Sequence, residues 1–125
     1  MAADARAPRP DRDAAYVCDI VDSCRALESY TRGKAFDDFR IDPILQDAVA
    51  RRLFLVGEAA KGLSDGFKLA LPGVDWKNLA RLRDKLAHHY WTIEVEKIWE
   101  LVTDYVPKLH ETLAAHAPGA PRSGR

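Results

Sequence analysis

Apolar residues recur at three- and four-residue spacing along most of the chain, which is the pattern of amphipathic helices. The first such stripe predicts a helix from about Asp13 to Tyr30, and Gly33 lies just beyond it, where helices commonly end. The core positions of this helix are Val17, Ile20, Val21, Cys24 and Leu27. No segment alternates apolar and polar residues with period two, so the pattern predicts an all-α protein.

A second apolar stripe follows Asp42 and Pro43, an N-cap residue with proline at the first helical position. It predicts a helix that continues to about Leu63. Two glycines and a proline interrupt residues 64–74, which we expect to form a connector with room for one helical turn.

Two more long helices are predicted in the second half of the chain. Asp75 is a suitable cap for a helix that starts at Trp76. Its core positions are Leu79, Leu82 and Leu86. Thr92 is expected to cap a fourth helix, which Pro107 should kink because proline lacks the N–H of an internal hydrogen bond. Four long helices with short connections predict an antiparallel up-down bundle of four to five helices.

The composition fits one globular domain: the chain has 125 residues, of which 47% are hydrophobic and 30% charged. Residues 1–10 and 117–125 are rich in Ala, Pro, Gly and Arg, so we expect flexible tails around a helical domain over residues 11–116. No run approaches the roughly 20 apolar residues that a membrane-spanning helix needs. The first residues lack the basic-then-apolar pattern of a signal peptide.

The two cysteines, Cys18 and Cys24, lie on the first predicted helix. Their separation in a regular helix is roughly 9 Å, too far for a disulfide bond. We therefore expect two buried thiols and a cytoplasmic protein.

The formal net charge is zero, so the whole molecule should not attract nucleic acid. A local basic strip nevertheless extends from Lys77 to His89, with a single acid, Asp84. Its cations and histidines are Lys77, Arg81, Arg83, Lys85, His88 and His89. Such a strip can bind phosphate, although a basic run on a helix is more often a solvated face.

Arg83 and His88 have the side chains that cleavage of RNA without a metal ion requires. Histidine titrates near neutrality and can move protons, while arginine stays charged and binds phosphate oxygens. Asp84 could hold either residue in place. On a regular helix Arg83 and His88 point about 140° apart. Either the helix ends or distorts near Ala87, or two chains of a dimer contribute to one site.

None of these residues is diagnostic by itself. An arginine followed five residues later by a histidine occurs often by chance. Tyr90 and Trp91 could be packing aromatics. His88 and His89 are not expected to bind a metal ion, because neighbouring helix residues diverge and no Cys or acid cluster completes the site.

An ordered set of motifs from about Asp19 to Leu109 resembles the HepT-like branch of the HEPN superfamily. The family signature is Arg, a polar residue, three further positions, His, any residue and Tyr. The positions that fill it are Arg83, Asp84, His88 and Tyr90. The other matching positions are Tyr30, Thr31, Gly33, Phe39, Asp47, Ala48, Val49, Arg52, Gly57, Glu58, Ala59, Ala60, Trp76 and Trp99.

The resemblance implies a HEPN-like helical fold and a metal-independent endoribonuclease that acts as a homodimer without a cofactor. Arg83 and His88 would be its catalytic residues and Asp84 a supporting one. The candidates for binding RNA are the other members of the basic strip, Lys77, Arg81, Lys85 and His89.

The resemblance also implies a toxin–antitoxin pair. The usual partner is a nucleotidyltransferase antitoxin, MntA, which would transfer AMP from ATP onto Tyr90. The added bulk and negative phosphate would then exclude RNA. Two positions qualify this expectation. Asp84 stands where the family more often has Asn and could weaken phosphate binding by pairing with Arg83. Glu58 could lie beside the site, although small neighbours such as Gly57 also permit close helix packing.

Two other functions remain open. Asp84 and the zero net charge are compatible with a non-catalytic helical HEPN module that binds a nucleotidyltransferase or a nucleotide. A purely structural subunit would have Arg83, His88 and Tyr90 buried and unpaired.

Overall fold

The structure, a computed structural model, describes residues 10–118, and within this range it contains helices and turns but no strand. The all-α prediction is confirmed. Nearly all of the two predicted tails, 1–10 and 117–125, lies outside the described residues, and the first helix already begins at Pro10. None of the helices in this range is long and apolar enough to cross a membrane.

The described part of the chain is a succession of helices joined by short connections. They are α1 (Pro10–Thr31), α2 (Phe36–Arg40), α3 (Pro43–Gly62), α4 (Asp65–Leu69), α5 (Trp76–His88), a 3₁₀ turn (Tyr90–Thr92), α6 (Val95–Glu100), a π segment (Leu101–Tyr105) and α7 (Val106–Ala114). Leu101 and Val106 keep right-handed helical backbone angles, so the last three segments form one continuous C-terminal rod. The four long helices of the prediction correspond to α1, α3, α5 and this rod.

Contacts at both ends show that α1 and α3 pack antiparallel. Near the start of α1, the buried carboxylate of Asp13 accepts hydrogen bonds from the backbone N–H and hydroxyl of Ser64, at 2.9 and 2.8 Å, just after α3 ends. Near the end of α1, the Tyr30 hydroxyl accepts a hydrogen bond from Arg52 Nε at 3.3 Å. Two further helices pack on this pair: α5 packs on α3, and α7 packs on α1.

The hydrophobic core contains the positions that helical periodicity predicts. All five core positions predicted for the first helix are at most 3% exposed. In α5, Leu79 and Leu86 are buried, whereas Leu82 is only partly buried. Burial raises the pKa of the Cys24 thiol to about 12, so this thiol stays protonated. Cys18 was also expected to be buried, but it is only half-buried.

Three predicted helix boundaries, at Gly33, Asp42 and Asp75, are confirmed by hydrogen bonds and backbone angles. The Asp42 carboxylate accepts a hydrogen bond from the N–H of Leu45 at 3.0 Å, and Asp75 accepts one from Asn78 at 3.1 Å. Gly33 has a φ of 73°, a left-handed conformation that glycine adopts without strain after a helix.

Sequence analysis does not predict α2, which depends on tertiary contacts. Phe39 is fully buried, and the centre of its ring lies 5.2 Å from that of Trp99. The Asp38 carboxylate accepts a hydrogen bond from the N–H of Ala35 at 2.8 Å and closes the first turn. Trp99 and Trp76 both pack against the core.

The prediction that Thr92 caps the fourth helix is wrong. Its hydroxyl donates a hydrogen bond to the carbonyl of His89 at 2.7 Å and closes the 3₁₀ turn. The hydroxyl is therefore not available to cap α6. The N-cap of α6 is Glu94, whose side chain makes no capping hydrogen bond.

The π segment, Leu101–Tyr105, lies just before Pro107 in the C-terminal rod. There the N–H of Val106 bonds to the carbonyl of Leu101, five residues earlier. Pro107 consequently lies in the first turn of α7, where its missing N–H costs little.

The crossing of α3 and α5 depends on the missing side chain of Gly57. A Cβ atom at this position would overlap the Cβ of Arg83 and lie 3.1 Å from the carbonyl oxygen of Leu79. The backbone of α5 can therefore approach α3 this closely only if residue 57 is glycine.

We expect Gly57→Ala to lower the free energy of unfolding by about 1–3 kcal/mol, because the added methyl group must push the two helices apart. Urea denaturation of the purified variant would measure this change. Gly73→Ala is the matched control, since a Cβ there would meet nothing within 4 Å. Equal stability of the two variants would contradict the close crossing.

Candidate functional site

Arg83 and His88 do not converge within one chain. The helix ends one residue after Ala87, as one alternative anticipated, but His88 is still its last residue. The N–H of His89 continues the helical hydrogen-bond pattern by donating to the carbonyl of Lys85 at 2.7 Å. Helical geometry therefore keeps the directions of Arg83 and His88 about 140° apart. His88 is exposed, whereas Arg83 is half-buried against α3.

Arg83 belongs to a charge network that joins α5 to α3. Its Nε donates to the Glu58 carboxylate, and its Nη1 donates to Asp84 Oδ1 at 3.1 Å. The same Asp84 oxygen accepts a hydrogen bond from Lys61 Nζ, also at 3.1 Å. Two cations and two carboxylates thus compensate one another. The expected pairing of Asp84 with Arg83 and the position of Glu58 beside the motif are both seen in this geometry.

The network keeps Arg83 and Asp84 ionised. Hydrogen bonds to Glu58 and then to Asp84 raise the pKa of Arg83 above its ordinary value. Hydrogen bonds from Lys61 and Arg83 hold the pKa of Asp84 below its ordinary value. Arg83 is therefore a permanent cation with two acidic neighbours at neutral pH.

An aromatic ring lies against the same guanidinium group. The Arg83 guanidinium carbon is 5.3 Å from the centre of the Phe54 ring, and that of Arg51 is 5.6 Å from it. Both distances fall within the range of cation–π interactions. Neither Arg51 nor Phe54 is among the site residues predicted from the sequence.

The residues of α3 that face this region share one side of the helix, which we call the α3 stripe. Its members are Asp47, Arg51, Phe54, Glu58 and Lys61. They follow one another at alternating four- and three-residue spacing, so helical periodicity places all five on one side of α3 but does not indicate their partners on α5.

Tyr90 contacts the opposite end of the α3 stripe. Its hydroxyl donates to Asp47 Oδ1 at 3.1 Å, while its ring packs partly against the core. Burial, and then the hydrogen bond and negative charge of Asp47, raise the pKa of Tyr90 above its ordinary value. The phenol is therefore protonated at neutral pH. The Tyr90 ring therefore has the packing role that the sequence left open, and its hydroxyl has a specific partner in Asp47. The side chain of Trp91 lies outside the described part of the structure.

A groove lies between the α3 stripe and the end of α5. Its volume is about 480 Å³. The residues that line it are Asp47, Ala50, Arg51, Phe54, Leu86, Ala87 and Tyr90. The Asp47–Tyr90 hydrogen bond thus lies in the wall of this groove, and Phe54 separates the groove from the Arg83 network.

The basic strip of α5 is divided between two sides of the helix. Arg83 faces α3, whereas Arg81 and Lys85 line a second groove of about 810 Å³ between α5 and the C-terminal rod. The charged residues on the far wall of that groove are Glu94, Lys97, Glu100 and Asp104. Lys77 and His89 are exposed at the two ends of α5. The six basic and histidine residues therefore do not form one continuous surface.

Two of the other expectations can be compared with this geometry. Within residues 10–118, no group of three or more His, Cys, Asp and Glu side chains is placed to hold a metal ion. A purely structural bundle was expected to bury Arg83, His88 and Tyr90 without partners. Instead, Arg83 and Tyr90 have polar partners and His88 is exposed.

Comparisons with known proteins agree on one family. The family model described as Ribonuclease HepT-like matches residues 20–115. A candidate RNase of Methanocaldococcus jannaschii is 42% identical over 99 residues, which cover 78% of this chain and 82% of that protein. A candidate ribonuclease HepT of Thermococcus cleftensis is 38% identical over 94 residues, which cover 75% and 86%. A candidate RNase of Caldanaerobacter subterraneus subsp. tengcongensis is 36% identical over 106 residues, covering 85% and 90%.

No solved structure gives a significant match. The matched region begins inside α1 and extends to the end of the C-terminal rod, so it includes both the α3 stripe and the signature residues of α5. The chain belongs to the HepT-like ribonuclease family of the HEPN superfamily.

Proposed function

We propose that this protein is the toxin of a toxin–antitoxin pair, a metal-independent endoribonuclease that acts in the cytoplasm as a homodimer. The observation that carries the proposal is the arrangement at the end of α5. There the signature places a permanently charged Arg83 against α3 and an exposed His88 on a different side of the same helix.

In the proposed reaction, His88 removes the proton of a ribose 2′-hydroxyl, and the 2′-oxygen forms a bond to the adjacent phosphorus. The bond from phosphorus to the 5′-oxygen breaks, and that oxygen takes a proton from solvent. The products are a 2′,3′-cyclic phosphate and a 5′-hydroxyl group. Arg83 stabilises the additional negative charge of the intermediate.

The divergence of Arg83 and His88 supports a site shared between two copies. Side chains about 140° apart on one helix cannot both reach one phosphate. A two-fold axis beside α5 would bring Arg83 of one copy towards His88 of the other.

Arg83 would enter this reaction with part of its donor capacity already used. Glu58 and Asp84 occupy Nε and Nη1, whereas Nη2 makes no hydrogen bond within the described part of the chain. An arginine side chain has five N–H donors, so a phosphate can bind through Nη2 without displacing either carboxylate. Lys61 offsets part of the negative charge that Asp84 presents to that phosphate.

We expect Arg83→Ala and His88→Ala each to lower RNA cleavage at least about 100-fold, because one removes the charge stabilisation and the other the proton transfer. Cleavage should be assayed in EDTA by following the 2′,3′-cyclic phosphate ends. Arg32→Ala, an exposed arginine just beyond α1, is the control and should cleave like the wild type. Intact RNA with the wild-type protein would refute the ribonuclease, and loss of cleavage in EDTA would refute the metal-free mechanism.

Co-expression of the two inactive variants tests the shared site. Half of randomly formed dimers contain one Arg83→Ala and one His88→Ala chain, and each such dimer keeps one intact pair across the interface. We therefore expect about a quarter of wild-type activity, if the pair is formed between copies. If the mixture is as inactive as the separate variants, Arg83 and His88 act within one chain.

We also propose that a nucleotidyltransferase antitoxin inactivates the protein by transferring AMP to Tyr90. The Tyr90 oxygen would form a bond to the α-phosphorus of ATP, and pyrophosphate would leave with the proton taken up by solvent or the transferase. The geometry supports this acceptor because the Tyr90 hydroxyl lies in the wall of an open groove at the end of the signature.

Co-expression with the nucleotidyltransferase encoded by a neighbouring gene should raise the intact mass of the protein by whole AMP units. Tyr90→Phe should remove this increase, whereas Tyr30→Phe, a tyrosine at the end of α1, should retain it. The modified protein should lose RNA cleavage, because the added phosphate repels RNA. An unchanged mass in the presence of an active transferase would rule out this form of inactivation.

The compensated charge of Arg83 favours one second candidate, a non-catalytic module that binds the nucleotidyltransferase or a nucleotide. It predicts a stable complex with the transferase and no RNA cleavage by free protein whose Tyr90 is unmodified.

A further inference from the structure

The groove between the α3 stripe and the end of α5 has the size and lining of a small-ligand site. Its volume of about 480 Å³ lies within the usual range of such sites, roughly 300–1,000 Å³. Ala50, Leu86 and Ala87 form apolar parts of its lining. Two aromatic rings, Phe54 and Tyr90, contribute from different elements.

The Phe54 ring at one end of this groove lies near two cations, of which only Arg51 also lines the groove. The guanidinium groups of Arg51 and Arg83 lie 5.6 and 5.3 Å from the centre of the Phe54 ring. Proteins that bind single-stranded nucleic acid combine positive charge for the phosphates with aromatic rings on which the bases stack. The two components occur here within one turn of α3.

Arg51 differs from Arg83 in its partners within the described residues. No carboxylate of residues 10–118 forms an ion pair with Arg51, whereas Glu58 and Asp84 both bind Arg83. Among these residues, the Arg51 guanidinium therefore lines the groove without a direct ion pair, and it can contact an anion there.

The two ends of the groove differ in charge. Asp47 places a carboxylate at the Tyr90 end, which disfavours phosphate there. Arg51 favours phosphate at the Phe54 end. A base that enters the groove can donate an N–H to Asp47, since carboxylates only accept hydrogen bonds.

We propose that this groove binds one nucleotide of single-stranded RNA beside the cleaved phosphate, with its base on Phe54 and its phosphate on Arg51. The inference rests on the proposed ribonuclease function and adds a subsite to it. A paired base could not enter, because the base must leave its stack to lie between α3 and the end of α5.

Binding of a short single-stranded RNA tests the subsite in protein that carries His88→Ala, so that the RNA is not cleaved. Fluorescence anisotropy at several salt concentrations would give the affinity and its salt dependence. We expect Arg51→Ala to weaken binding about tenfold and to reduce the slope of log affinity against log salt by about 0.7. Phe54→Leu should weaken binding about as much but leave the slope unchanged, since it removes stacking and no charge.

Three controls keep the outcome interpretable. Phe54→Trp should retain binding, because it keeps an aromatic face. Arg32→Ala, an exposed arginine outside the α3 stripe, should change neither affinity nor slope. Thermal unfolding of each variant and its oligomeric state by light scattering should match those of the His88→Ala parent.

The results separate failure of the subsite from failure of the proposed function. If wild-type protein cleaves RNA but Arg51→Ala and Phe54→Leu bind it as the parent does, the subsite is wrong and the ribonuclease stands. If either variant converts a dimer to a monomer, a second copy covers the groove and the subsite is wrong. If the wild type neither binds nor cleaves RNA, both proposals are wrong.

Discussion

The close crossing of α3 and α5 at Gly57 determines the surroundings of Arg83. Because residue 57 has no side chain, the backbone of α5 at Arg83 lies directly against α3. The next residue of α3, Glu58, can then reach the guanidinium group, and Phe54, one turn earlier, lies beneath it. A wider separation of the helices would remove the carboxylate, the ring contact and the bridge from Lys61 to Asp84 together. The charge and orientation of Arg83 thus follow from a packing constraint between two helices.

The elements that could be predicted from the sequence are those specified by local chemistry. Asp42 and Asp75 cap their helices with hydrogen bonds to residues three positions later, and such short-range signals are visible in any single chain. The five residues of α2 follow Ala35, whose side chain cannot cap a helix, and Phe39 of this helix is buried against a distant tryptophan. Thr92 was misassigned for a related reason: its hydroxyl closes a 3₁₀ turn whose presence depends on how α5 ends.

The candidate site could be predicted only in part. The signature and helical geometry identified Arg83 and His88 and predicted their divergence, because both lie on one helix. Arg51 and Phe54 were missed, since their relation to Arg83 exists only after α3 and α5 pack together. The same holds for Asp47, whose hydrogen bond with Tyr90 spans 43 positions of the chain. Partners that lie on different helices are not encoded in the spacing of either helix alone.

The α3 stripe contacts Tyr90 and Arg83 at two separate positions along one helix. Asp47 holds the Tyr90 hydroxyl and Glu58 holds Arg83, and their positions on α3 are about 16 Å apart along the helix axis. The groove that Tyr90 lines is also lined by Arg51 and Phe54 but not by Arg83. A group attached to the Tyr90 oxygen would therefore enter that groove and meet Arg51 and Phe54 there. Occupation of the groove, rather than direct neutralisation of Arg83, is the first effect expected of a modification of Tyr90 within one chain.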